Sequence, residues 1–255
     1  MIKFFRKIRY NLMSENKTSK YFKYAIGEII LVVIGILIAL QINNWNESRK
    51  LRNQELKYLE NLRSDLKLNI TDIAQFLESG NSSIESANKV LEYFEGKPIE
   101  DLNDLNYHAT NVYIWYRFTL HDNTYKELIN SGNIGIISND SIKNGLLNLQ
   151  ALYNKLKNEE DHFRYDMEEL MYTPAYEMLK MNDLIKNFTY QVSNGQDGEN
   201  ISLSRTNYEN LLKNLKHENG FVMAIYEHTK MNAHFNEMNE LCSSLIKLIN
   251  EELEF

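Results

Sequence analysis

Residues 25–42 read AIGEIILVVIGILIALQI, eighteen positions in which only Glu28 and Gln41 are strongly polar. A helix over this stretch is about 27 Å long, close to the roughly 30 Å hydrocarbon thickness of a bilayer. Trp45 follows at one edge, and Lys20, Lys23 and Tyr24 stand at the other. Amphipathic rings and basic side chains suit the headgroup layers, so Lys20, Lys23 and Trp45 are expected to be interface anchors. An apolar run this long beside a basic flank argues for a transmembrane helix rather than a buried core helix. No small-residue cleavage site follows it, which favours an uncleaved signal anchor over a signal peptide.

Charge divides the chain at the same place. Residues 1–23 hold seven Lys/Arg and one acid, Glu15, for a net +6. With Glu28 inside the span, the total of −7 leaves −12 on residues 29–255. After the span, residues 46–65 mix five basic with four acidic side chains. The positive-inside rule then places the N-terminus in the cytoplasm and the remainder across the membrane. The expected organisation is a basic cytoplasmic segment (1–24), a transmembrane helix (25–45) and a helical extracytoplasmic domain (46–255). The acidic domain argues against nucleic acid as a partner, because phosphate binding rests on clustered Lys/Arg.

Within the span, Glu28, Gly35 and Ala39 fall on one helical face, and Gly35-x-x-x-Ala39 is a small-xxx-small pair that permits close helix approach. The partners expected are therefore the lipid bilayer, a second copy of this chain through the membrane helix, and an unidentified envelope protein. Before the span, Ile2, Phe5, Ile8 and Leu12 recur at helical spacing among basic residues. They read either as a short interfacial helix or as an irregular topogenic tail.

The rest of the chain reads as helix. Two prolines and ten glycines in 255 residues leave few breakers. Leu51, Leu59, Leu62, Leu66, Ile70, Ile73 and Leu77 recur at three- and four-residue spacing, predicting a long amphipathic helix. Ser79-Gly80-Asn81 reads as a break or kink, followed by a helix that Gly96 and Pro98 terminate. The aromatic run Val112–Leu120 (VYIWYRFTL) is ambiguous in period and is assigned to helix for want of strand partners. Asp122 or Asn123 starts the next helix, Thr124-x-x-Glu127 has capping-box spacing, and Gly132 ends it. Ser138 or Asn139 starts a long helix expected to stop before Pro174. A loop at 192–204 precedes a helix near 206–217 and a last long one near 221–252. The fold class is all-α: one N-terminal transmembrane helix followed by an elongated helical bundle.

SENKTSKYFKYAIGEIILVVIGILIALQINNWNE (14–47), with TYKELINSGNIGIIS at 124–138, resembles an uncharacterised family of small single-pass bacterial inner-membrane proteins classed as a domain of unknown function. The resemblance is close over residues 1–50 and looser beyond, except at TYKELINSG. It implies a bacterial inner membrane and carries no catalytic or binding residues.

Signatures of chemistry are sparse. Glu159-x-x-His162 supplies one half of a di-iron pattern, and the last helix offers only the reversed His234-x-x-Glu237, along with Glu227 and His228. His121 and Asp122 are neighbours without a nucleophile. There is no G-x-S-x-G, P-loop or G-x-G-x-x-G. Cys242, the sole cysteine, lies in an apolar run and reads as core. Tyr113, Trp115, Tyr116 and Phe118 read as core packing, with a binding surface as the alternative. No enzyme activity, cofactor or metal is expected. The leading expectation is a non-enzymatic envelope protein whose outer domain binds a protein or senses its compartment; a ligand- or metal-binding bundle, with redox activity, is the alternative.

Overall fold

The computed structural model describes Arg6, Tyr10 and residues 18–254, so the pattern Ile2, Phe5, Ile8 and Leu12 lies outside the described residues. The protein is helical, with no strand among the described residues. The chain forms two compact units, residues 1–57 and 58–255. Helix α1, Thr18–Phe94, runs through the sequence of both.

In the first unit, α1 carries one segment long and apolar enough to cross a membrane. Its side chains are uncovered: Ile29, Leu31, Ile38 and Ile42 are each more than half exposed. A soluble core helix would bury this surface, at roughly 25 cal/mol per Å².

The second unit is a bundle. Its remaining elements are α2 (Leu102–Tyr113), α3 (Asn123–Asn130), a 3₁₀ turn (Asn133–Ile136), α4 (Asp140–Asp166), a π segment (Met167–Tyr172), α5 (Thr173–Met178), α6 (Met181–Val192), α7 (Arg205–Leu211) and α8 (Leu215–Leu253). Leu59, Leu62, Leu66 and Ile73 of α1 join Leu146, Leu156 and Phe163 of α4 and Phe221, Phe235 and Leu245 of α8 in one core. Cys242 is buried there, and the apolar surroundings push its thiol up to about 12.

Helix ends follow local chemistry where the sequence supplies it. Past Phe94, Gly96 takes φ 105°, the Gly96 N–H donates to Tyr93 O, and the Lys97 N–H donates to Glu92 O at 3.0 Å. That is the Schellman arrangement. Asn139 caps α4 by accepting from the N–H groups of Ser141 and Ile142, and Gly132 (φ 72°) follows α3.

Five expectations are corrected by the structure. First, α1 does not break at Ser79-Gly80-Asn81. A Cβ at Gly80 would meet Asn232 Oδ1 at 2.5 Å, so the glycine makes room for the Asn232 side chain of α8. Second, the run 112–120 is not one helix: α2 stops at Tyr113 and residues 114–122 are irregular. Phe118, Leu120 and Asp122 are buried while Arg117 and Thr119 are exposed, the period-two pattern of extended chain. The missing strand partners are side chains. Asn69 accepts from the His121 N–H and donates to its carbonyl, while Glu160 accepts the Phe118 N–H and Lys157 donates to Phe118 O. Third, Thr124 lies inside α3 and no capping box forms; its N–H donates to Asp65, and Glu127 accepts from Tyr58. Fourth, α4 does not end the helical path before Pro174. A π segment joins it to α5, with Pro174 in the first turn of α5. The helix expected near 206–217 is also shorter, because Asn214 caps α8 and starts it at Leu215.

Candidate functional site

The aromatic run divides between core and surface. Tyr113 and Phe118 are buried, Trp115 is half-buried and Tyr116 is 74% exposed. The Phe118 ring packs edge-on to Phe76 and Phe235 at 5.4 Å each. Trp115 meets Phe163 at 5.2 Å, and Phe163 meets the His228 ring at 4.8 Å.

This aromatic wall closes one side of a cavity of about 310 Å³ between α1, the 114–122 segment and α8. Phe76, Trp115, Tyr116, Met231 and Phe235 line it, with Ser79, Glu160, His228 and Asn232 as polar points. Gly80 lines it too, so the absence of a side chain there both admits α8 and leaves room. Burial pulls the His228 imidazole down to about 4, so it stays neutral near pH 7. Its Nε2 is buried without a hydrogen-bond partner. A mostly apolar cavity with a few convergent polar groups is the usual form of a small-molecule site, and this volume is at the lower end of the range.

On the outer flank of the α4–α8 contact is a polar cluster. His162 and Asp166 are four residues apart, hence on one face of α4, and Glu227 faces them from α8. His162 Nδ1 lies 3.1 Å from Glu227 Oε1 and 3.6 Å from Asp166 Oδ2. Glu227 is fully covered while His162 is 55% exposed. Burial raises the Glu227 carboxyl above the ordinary range, opposed by Lys230 and His162. Lys230 is bonded to Glu159 and lies 3.7 Å from Glu227 Oε2.

Two of the three histidine pairings implied by sequence adjacency are replaced, and His234 keeps Glu237 as its neighbour. Glu159 pairs with Lys230 rather than with His162. His234 Nδ1 lies 4.0 Å from Glu237 Oε2. His121 pairs with Asp72 at 2.8 Å, and its neighbour Asp122 pairs with Lys126. Asp166 was not singled out by sequence reasoning; its signal is the i,i+4 spacing from His162.

The residues expected on the membrane helix belong to the first unit. Gly35 and Ala39 are exposed on α1, and a Cβ at Gly35 would meet nothing within 4 Å. Glu28 is half-buried. Lys23 is exposed, and Trp45 is exposed with the Arg49 guanidinium 5.6 Å from its ring centre. The side chain of Lys20 lies outside the described residues.

No curated protein and no solved structure matches this chain. A family model does, over residues 28–174, a span that includes Trp115, Glu160, His162 and Asp166 and stops before Glu227 and His228. The chain belongs to that family, a family of unknown function (DUF6090).

Proposed function

We propose that this protein is a single-pass protein of the bacterial inner membrane whose helical domain, on the extracytoplasmic side, is a non-catalytic sensing module that binds a small aromatic or apolar molecule carrying one polar group. The uncovered apolar segment of α1 and the basic N-terminal flank support the anchor and its orientation. The single observation that carries the sensing role is the cavity: four aromatic rings and Met231 around about 310 Å³, with neutral His228 and Asn232 placed to hold a polar substituent. That space accommodates one or two rings.

The test uses the full-length protein in detergent with Trp45 changed to Phe, so that Trp115 is the only tryptophan. 4-Nitrophenol, whose absorption overlaps tryptophan emission, should quench Trp115 saturably. Gly80→Leu, which fills the cavity, should leave only linear, non-saturable quenching. Equal saturable quenching in both proteins would overturn the cavity reading.

A further inference from the structure

The Glu227 cluster has a feature that ion pairing leaves unexplained. Neither carboxylate oxygen of Glu227 accepts a hydrogen bond, although the residue is fully covered, and Asp166 Oδ2 is likewise buried without a donor. Two of these buried oxygens, Glu227 Oε1 and Asp166 Oδ2, face the one imidazole nitrogen, and Glu227 Oε2 lies 3.7 Å from the Lys230 ammonium, beyond hydrogen-bond distance. Buried carboxylates without donors are costly unless a cation satisfies them.

The donor atoms of His162, Asp166 and Glu227 all lie within 4.8 Å of one another. Zinc bonds nitrogen and oxygen at about 2.0–2.2 Å, which puts tetrahedral ligands about 3.4 Å apart. The separations of 3.1 and 3.6 Å from His162 Nδ1 bracket that value. Charge fits as well. Glu159, Asp166 and Glu227 stand against the single ammonium of Lys230, leaving an excess of two negative charges when the imidazole is neutral, as a ligand must be. Lys230 stays bonded to Glu159 and need not leave.

We propose that His162, Asp166 and Glu227 bind one divalent transition-metal ion between α4 and α8. One imidazole with two carboxylates is a borderline-hard donor set, which suits zinc better than calcium, magnesium or copper(I). The half-exposed His162 gives the ion a route from solvent. Three protein ligands leave a fourth position for water. The ion staples α4 to α8, and the site does not depend on what occupies the cavity.

Full-length protein in detergent, stripped with chelator and dialysed against zinc chloride, should hold about one zinc per chain by elemental analysis. His162→Ala and Glu227→Gln should each weaken binding by at least ~10-fold, and His234→Ala should leave it unchanged. Cobalt(II) in place of zinc should give visible d–d absorption that Asp166→Asn alters. That spectrum keeps the test decisive should His162→Ala fold poorly. No stoichiometric zinc in the wild type, or zinc that survives both His162→Ala and Glu227→Gln, would leave the cluster an ion-pair network and overturn the proposal.

Discussion

His217 Nδ1 lies 3.3 Å from the carbonyl oxygen of Leu170, the residue four before Pro174. A carbonyl only accepts, so Nδ1 carries the proton and Nε2 accepts from the Tyr113 hydroxyl at 2.9 Å. Proline has no N–H to offer the carbonyl four residues back. The buried imidazole donates to that carbonyl from α8, where the helical path passes through its π segment. Tyr172 adds a second tie by donating to Tyr113 O at 2.8 Å.

Because burial lowers the His217 imidazole from 6.5 to about 4, its neutral form is tied to the folded state. The unfolded chain binds the proton more readily, so this contribution is complete above pH 6.5. It is lost as pH falls from there and levels off below about 4. The full loss is about 3 kcal/mol. Unfolding of the wild type and of His217→Gln in detergent, compared at pH 7 and pH 5, should give a smaller acid loss in the variant. Parallel pH curves would contradict this.

Asn106 is fully buried and uses all of its hydrogen-bonding capacity. Its amide donates to Leu184 O and Asn187 Oδ1, and its oxygen accepts from Tyr208 and Thr110. Asn106→Ala should destabilise the bundle by about 3 kcal/mol, because several buried partners are stranded together. Asn106→Asp should cost at least as much despite its equal shape, since an acceptor replaces the donor. Urea unfolding midpoints check both.

Two glycines should respond oppositely to alanine. At Gly145 a Cβ would meet Leu245 Cδ2 at 2.5 Å, between α4 and α8. Gly145→Ala should lower stability by about 1 kcal/mol net, overpacking outweighing the gain in helix propensity. At Gly135 nothing lies within 4 Å, so Gly135→Ala should be neutral or stabilising by about 0.5 kcal/mol. Thermal midpoints decide it.

For the proposed membrane segment, Gly35→Leu should weaken self-association in a membrane two-hybrid assay more than Val33→Leu, which lies on another face. Close packing and polar pairing, not hydrophobicity, drive helix association in lipid. Glu28→Ala should have the smaller effect, because a carboxylate near the interface can stay hydrated. Equal responses at Gly35 and Val33 would make the small-residue face incidental.

A reporter fused after residue 255 checks topology. A periplasm-dependent enzyme should be active there and a cytoplasm-dependent one silent, and the fusion should retain its first ~40 residues. The reverse pattern would invert the proposed orientation.

The all-α class, the apolar segment at 25–42 and the stops at Gly96 and Gly132 were legible in the sequence, because periodicity, hydropathy and αL glycines act within a turn or two of chain. Gly80 and Pro174 were misread for the complementary reason. A glycine marks a break only if nothing packs there, and Asn232 of α8 packs there. A proline ends a helix only if its turn cannot be rearranged, and a π segment with the His217 bond to Leu170 O rearranges it. The extended run after Tyr113 needed Asn69, Glu160 and Lys157, 39 to 52 residues away, to satisfy its backbone. Likewise His162 met Asp166 through helical spacing, but it met Glu227 only through the packing of α4 on α8. Sequence alone determined the all-α class and which segment is uncovered and apolar. Tertiary packing decided which breakers were overruled and which buried charges share a site, because both depend on contacts between residues far apart in the chain.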